Sequence, residues 1–282
     1  MDAAQMRIFV PLLRSAYPEA RIMAIGEYNS GAFREADRTP WRSVVIEKAA
    51  DLFDVLVVTR YSGFLDGIPM DAALKNVADC VANQRDGMDD QVRTLREKGH
   101  AQPIAIVEWN YWTAASHHDH AGFYEPNDIR HCLYAAGLLN AFCRLGDNLE
   151  AACYYSLINT MGCVHVHNGQ VQLTDIIKVF NLYADALPGT VLDAAIDAPA
   201  LTEKAKSVDA TFMRKDDTTY GFLVNLSATE AATVTLSQLG TIASATGLTA
   251  QALLQPLETI PVAYSGTTVT LPPASIVRVI MR

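Results

Sequence analysis

The chain has 282 residues, half of them apolar and 19% charged, with 22 Lys and Arg against 31 Asp and Glu for a formal net charge of −9. This composition can supply a sizeable core and argues against disorder, and the length allows one large domain or two ordinary ones. An acidic balance without a Lys/Arg-rich block lacks the electrostatic footprint of nucleic-acid binding and of attraction to an anionic membrane, and no run approaches the roughly 18 apolar residues of a membrane span. The N-terminus opens on an acid with no basic flank, so it does not read as a signal peptide and a cytoplasmic protein is expected. Five cysteines, an odd number without any C-x-x-C, are expected as buried thiols rather than a disulfide framework or a metal site.

In chain order, residues 2–16 read as a helix with Pro11 in its middle. Four continuous apolar runs follow, RIMAIG (21–26), FDVLVVTRY (53–61), PIAIVEWN (103–110) and AACYYSLIN (151–159). Unbroken apolar runs of this kind suit strands buried on both faces. Between them, Leu74, Val77, Val81, Val92 and Leu95 mark a helical stripe over 70–98, with Gly87 as a break. A further helix starts at Asn127-Asp128, which can cap it, and carries Leu133, Ala136, Gly137, Asn140 and Phe142. This alternation predicts βα units and a parallel sheet. After Pro188-Gly189 the grammar changes to short alternating runs, KSVDATFM, TYGFLVNLS, ATVTLS, TTVTLP and SIVRVIMR, which predict an antiparallel β-sandwich. The expected division is therefore 1–188, an α/β domain, and 189–282, an all-β domain.

In (β/α) barrels the chemistry gathers at the carboxyl ends of the strands. Those ends carry Glu27-Tyr28-Asn29, Thr59-Arg60-Tyr61, Glu108-Trp109-Asn110-Tyr111-Trp112, and Ser156 with Asn159. The third is the most specific. Aromatic faces stack on the C–H surface of a sugar ring, and a carboxylate can attack an anomeric carbon or stabilise an oxocarbenium-like centre. The competing reading makes Glu108 a structural acid paired with an arginine such as Arg60, with the tryptophans filling the core. His117, His118 and His120, with His165 and His167, do not match a metal-ligand spacing, so no metal is expected. No nucleophile elbow, P-loop or G-x-G-x-x-G is present, and the acids of 86–90 do not complete a calcium loop.

The run IVEWNYW, with DVLVVTRYSG about fifty residues upstream, resembles the α-L-arabinofuranosidases of glycoside hydrolase family 51. The likeness continues through NDIRHCLYAAGLLNAFCRLGDNLEAACYYSLIN and into LPPASIVRVI. It implies a partial (β/α)8 TIM barrel, strands five to eight, followed by the antiparallel β-sandwich. Glu108 matches the nucleophile, Tyr61 the tyrosine that hydrogen-bonds it, and Trp112 an aromatic of the furanose subsite. Trp109 and Asn110 of the same motif, and Glu27 at the end of the first strand, are expected on the substrate side. The substrate class implied is an arabinose-containing oligosaccharide, with no cofactor.

The departures carry information too. Val107 stands where the family has Asp, Thr59 where it has His, and Ser156 where it commonly has Gln. The Asn-Glu pair that holds the family's acid/base is absent from 1–282. The acid/base is therefore expected from a missing barrel half or another subunit, and a homo-oligomer is one way to provide it. Glu27 could replace it in an inverting geometry, or be a polar strand-end residue. The alternative function is a catalytically inactive carbohydrate-binding or scaffold relative.

Overall fold

The computed structural model describes residues 3–26, 41–63, 67–113, 117–119, 122–125 and 127–282. In its first part helix α1 (Ala3–Ala16), strand β1 (Met23–Ile25), helix α2 (Trp41–Ala49), strand β2 (Val55–Gly63), helix α3 (Met70–Glu97) and strand β3 (Ile104–Trp112) follow in order. A hairpin of β4 (His117–Asp119) and β5 (Gly122–Tyr124) leads to helix α4 (Ile129–Leu145) and strand β6 (Leu149–Tyr154). A second hairpin, β7 (Val164–His167) and β8 (Gln170–Leu173), precedes helix α5 (Ile176–Ala184). The four apolar runs of the sequence are β1, β2, β3 and β6, and among the described residues they form one sheet in that order. β1 pairs with β2 in parallel (Met23↔Val55), as does β3 with β6 (Ile104↔Leu149). Parallel pairs require crossover connections, which the helices provide.

Two local features, in α3 and α2, depart from expectation. Helix α3 runs through Gly87 without a break. A glycine inside a helix costs about 1 kcal/mol against alanine, and the buried residues Leu74, Val77, Met88 and Leu95 outweigh it. Helix α2 was not anticipated, because its buried residues Val45, Ile46 and Ala49 cluster instead of recurring as a long stripe. Helix α1 keeps Pro11 inside it. Its position in the first units is fixed by Arg7, which donates to the Lys48 carbonyl at 2.6 Å, and by Arg14, 3.1 Å from Asp54. Asp54 in turn accepts from the Ile22 amide at 2.7 Å, joining the approach to β1 with that to β2. Ile8, Phe9, Leu12 and Leu13 of α1 and Met23 and Ile25 of β1 are exposed.

The C-terminal strands are β9 (Thr190–Leu192), β10 (Val208–Lys215), β11 (Thr218–Asn225), β12 (Ala232–Thr235), β13 (Ile242–Thr249), β14 (Glu258–Pro261), β15 (Tyr264–Ser265), β16 (Thr268–Leu271) and β17 (Ser275–Met281). Six form one sheet, β14-β13-β17-β11-β10-β9, and three another, β12-β16-β15. All their pairings are antiparallel. Alternate residues from both sheets meet in one core that includes Phe212, Leu223, Val277 and Val279 from the larger and Val269 and Leu271 from the smaller. This is the arrangement that period-two alternation dictates when one face of each sheet is buried.

The chain divides into two compact units, Met1–Arg60 with Asp86–Trp109 and Leu145–Tyr154, and Tyr61–Arg85 with Asn110–Arg144 and Tyr155–Arg282. Within the second, α4 and α5 are bolted to the larger antiparallel sheet by polar contacts. Asn140 donates to Asp209 at 2.9 Å, and Tyr183 donates to Asn140 at 2.9 Å while its ring stacks on Phe222 at 4.0 Å. Burial raises the thiols of Cys80, Cys132, Cys143 and Cys163, the last to about 11, so they are inert at neutral pH.

Leu223 is fully buried in the shared core of the two antiparallel sheets. Truncating it to alanine should destabilise that unit by about 2–5 kcal/mol through lost transfer free energy and a residual cavity. Urea unfolding followed by circular dichroism measures the shift in midpoint.

Candidate functional site

In the first unit, β3 carries the buried residues Ile104, Ala105 and Ile106 and then the half-buried Val107 and Glu108. A carboxylate in a sheet covered on both faces loses hydration, and Glu108, the fifth of the nine residues of β3, is only half-buried. The pairing with β6 also changes there. Ile106 faces Ala152 and Trp109 faces Tyr154, so three steps along β3 match two along β6 and the register slips at Val107-Glu108. Such a bulge turns a side chain away from the regular alternation. Trp109 is 1% exposed and packs edge-on to Tyr154 with ring centres 5.0 Å apart. It is a core residue of this chain.

In the second unit, Tyr61 and Trp112 come together at 6.2 Å and 61°, and Tyr155 joins them 6.4 Å from Tyr61. The first two are half-buried and Tyr155 is 43% exposed, so the group presents aromatic surface to solvent. Its close assembly needs a glycine. Gly63 lies at φ 118°, and a Cβ there would collide with the Trp112 carbonyl. Gln84 holds the neighbouring backbone, donating to the Tyr61 carbonyl at 3.0 Å and to Ser62 Oγ at 2.8 Å.

Asn110 lies behind these rings, 1% exposed. Its amide nitrogen donates to the Tyr155 carbonyl and, at 3.3 Å, to that of Met161, while its oxygen accepts from the Tyr111 amide at 2.7 Å. Asn127 adds a donation to the Gly162 carbonyl at 2.9 Å. Both amides thus brace the 155–162 segment from inside. Ser156, at the position where Gln was the family expectation, donates to the carbonyls of Ile158 and Asn159 at 3.1 and 3.0 Å.

Sequence reasoning missed a buried ionic cluster beside this rim. Glu125 accepts from the backbone amide of Thr113, from Thr113 Oγ1 at 2.6 Å, and faces His131 Nε2 at 3.0 Å. His131 Nδ1 faces Asp128 at 3.2 Å, and Arg130 donates to Asp128 at 2.8 Å. Burial disfavours the imidazolium, but the hydrogen bonds and charges of Asp128 and Glu125 outweigh it and raise His131 above its ordinary value. Burial also opposes ionisation of Asp128, yet His131 and Arg130 hold its carboxyl well below the usual range. Arg130 and His131 thus both favour the ionised form of Asp128. The sequence signalled only the cap at Asp128, whose Oδ1 accepts from the Arg130 amide at 3.0 Å.

The structure thus brings Tyr61 and Trp112 into contact, puts Glu108 at a bulge and encloses Trp109 and Asn110. Glu27 lies outside the described residues, as does His120. His165 is buried and burial lowers its pKa, whereas His167 is exposed. Among the described residues no group of three or more His, Cys, Asp or Glu could hold a metal ion.

The folded pKa of His131 lies above the unfolded one. Its contribution to stability is therefore complete below about pH 6.5 and is lost as the pH climbs through the folded value. Unfolding free energies across pH 6 to 9 should fall in the native chain. The alkaline decline attributable to this residue should be missing from His131→Asn, which should already be less stable at the acid end.

Residues 108–275, more than half of the chain, match the family model described as the alpha-L-arabinofuranosidase C-terminal domain. Among curated proteins, no sequence matches. The fold is similar to that of a GH51 arabinofuranosidase from Xanthomonas axonopodis pv. citri, with TM-score 0.79 and 18% identity over 100% of this chain and 63% of that one. It is similar also to a family 51 alpha-L-arabinofuranosidase from Bifidobacterium longum, with TM-score 0.82 and 17% identity over 99% and 62%. An alpha-L-arabinofuranosidase from Thermotoga maritima, solved as an arabinose complex, gives 0.76 and 18% over 100% and 62%. The chain spans less than two thirds of the length of each. On the family match and the shared fold, the chain belongs to the alpha-L-arabinofuranosidase C-terminal domain family.

Proposed function

We propose that the chain carries the nucleophile side of a retaining α-L-arabinofuranosidase site that acts on terminal arabinofuranosyl residues of oligosaccharides. In this reading β1, β2, β3 and β6 are strands five to eight of a (β/α)8 barrel, ending near residue 188, and 189–282 is the β-sandwich domain. The single observation that supports it is the register slip of β3 against β6 between Ile106 and Trp109, which coincides with Glu108 of the family's Glu-Trp-Asn-x-Trp motif, just before that pairing ends.

The chemistry follows from those positions. Glu108 attacks the anomeric carbon, the glycosidic bond breaks, and a covalent glycosyl-enzyme forms that water then hydrolyses. Tyr61 orients the carboxylate, and the Trp112 indole offers its face to the furanose ring. Trp109 and Asn110, both enclosed, support the rim rather than touch the sugar. A second carboxyl group about 5 to 5.5 Å from the first must protonate the leaving oxygen. It comes from the missing barrel half or from another subunit, and the exposed apolar residues of α1 and β1 support a covering partner of that kind.

A second reading is an inactive carbohydrate-binding relative. It is favoured by Ser156, whose hydroxyl is committed to the Ile158 and Asn159 carbonyls where the family's Gln would be available for substrate.

An aryl α-L-arabinofuranoside with a good leaving group needs little protonation and therefore separates the two. The first reading expects slow turnover that Glu108→Gln lowers by at least about 10³-fold. L-Arabinose affinity should fall about tenfold in Trp112→Ala, from the loss of roughly 1–1.5 kcal/mol of ring contact. Sugar binding without turnover would instead establish the second reading.

A further inference from the structure

The geometry points to Glu125 as a positioning residue for sugar binding, one that sets the Trp112 indole by clamping the residue after it. This rests on the reading of Trp112 as the sugar-facing indole, and it concerns a residue outside the Glu-Trp-Asn-x-Trp motif.

The argument runs along the backbone. Trp112 is the last residue of β3, and the next residue, Thr113, is buried. Both polar groups of Thr113, its amide and its hydroxyl, donate to the same oxygen, Glu125 Oε1. Two donors from one residue on one oxygen fix that residue's orientation as well as its place. On the opposite edge of that same peptide group, the Trp112 carbonyl is pressed against Gly63, where even a methyl group would collide. The indole is therefore held between a glycine that admits its backbone and a carboxylate that anchors the next step of the chain.

Glu125 is held in its turn. It is 0% exposed, and His131, which also faces Asp128, meets the same oxygen at 3.0 Å. Its own amide donates to the Thr160 carbonyl at 2.8 Å, within the segment that Asn110 and Asn127 brace and that begins with Tyr155. One buried residue thus ties together the two stretches of chain that present Trp112 and Tyr155, the rings on either side of Tyr61. A carboxylate with no opening to solvent cannot reach substrate, so its influence passes through Trp112.

The test reads the indole directly. The full chain labelled with 5-fluorotryptophan gives a fluorine resonance for Trp112, assigned by its disappearance in Trp112→Phe. In ligand-free Glu125→Ala that resonance should move or broaden while the Trp109 line, set by packing on Tyr154, keeps its place. Glu125→Gln, which retains an acceptor for Thr113, should restore much of the native position. The affinity for L-arabinose, measured by titration, should fall about three- to tenfold in Glu125→Ala and recover in Glu125→Gln. If Glu125→Ala does not fold, Thr113→Val removes the hydroxyl donor alone and is judged by the same resonance. A folded variant of either kind whose Trp112 line stays at the native position overturns the proposal. Should L-arabinose fail to perturb the Trp112 line of the native chain, the sugar reading falls, while the ligand-free spectra still decide whether Glu125 positions the indole.

Discussion

Burying a carboxylate in a sheet covered on both faces removes its hydration, which other contacts must then restore. That constraint bears on β3. Its apolar residues Ile104, Ala105 and Ile106 are buried, and the acid comes at Glu108, half-buried, where the register with β6 shifts one residue before their pairing ends at Trp109.

The rim beyond this point is built from buried polar groups, not from apolar packing alone. Asn110, Asn127 and Glu125 each satisfy backbone groups that have no regular sheet partner. Buried amides and carbonyls must find such partners, since leaving one unsatisfied costs about 1–3 kcal/mol. The result is that Trp112, at the end of β3, and Tyr155, in the loop after β6, have defined positions. His131 and Arg130 offset the negative charge of Asp128 within this enclosed cluster.

The distribution of the second unit shows how far the C-terminal sheets extend their influence. Helices α4 and α5 are joined to the larger antiparallel sheet through Asn140, Tyr183 and Asp209, and Arg144 lies 3.1 Å from Asp209. The ends of β2 and β3 belong to the same unit as these helices. An aromatic group at those ends is therefore mounted on a scaffold whose core is the pair of antiparallel sheets. This kind of support suits a site whose rings must hold their angles.

Much of this was legible in the residues themselves. Unbroken apolar runs marked β1, β2, β3 and β6, although the burial on both faces expected of them is found in β2 and β3 and not in β1, where Met23 and Ile25 are exposed, or in β6. Period-two alternation marked β10, β11, β12, β16 and β17, because burial of one face leaves every second residue apolar. The Glu-Trp-Asn-x-Trp run lies in the second half of β3, which extends to Trp112. Helix α2 was illegible because nine residues hold too few turns to display a stripe, and β4 and β5 because short hairpins have little periodicity. Trp109 and Trp112 look alike as letters, yet one is enclosed and the other half-exposed. Glu125, His131 and Asp128 looked like ordinary polar residues around a helix start. Composition and periodicity determined which segments are helix and strand, since these follow from local backbone geometry and from which side chains avoid water. Only the tertiary structure decided which polar residues are buried together, because a charge cluster such as Glu125, Thr113 and His131 exists through contacts between separated segments and leaves no local pattern.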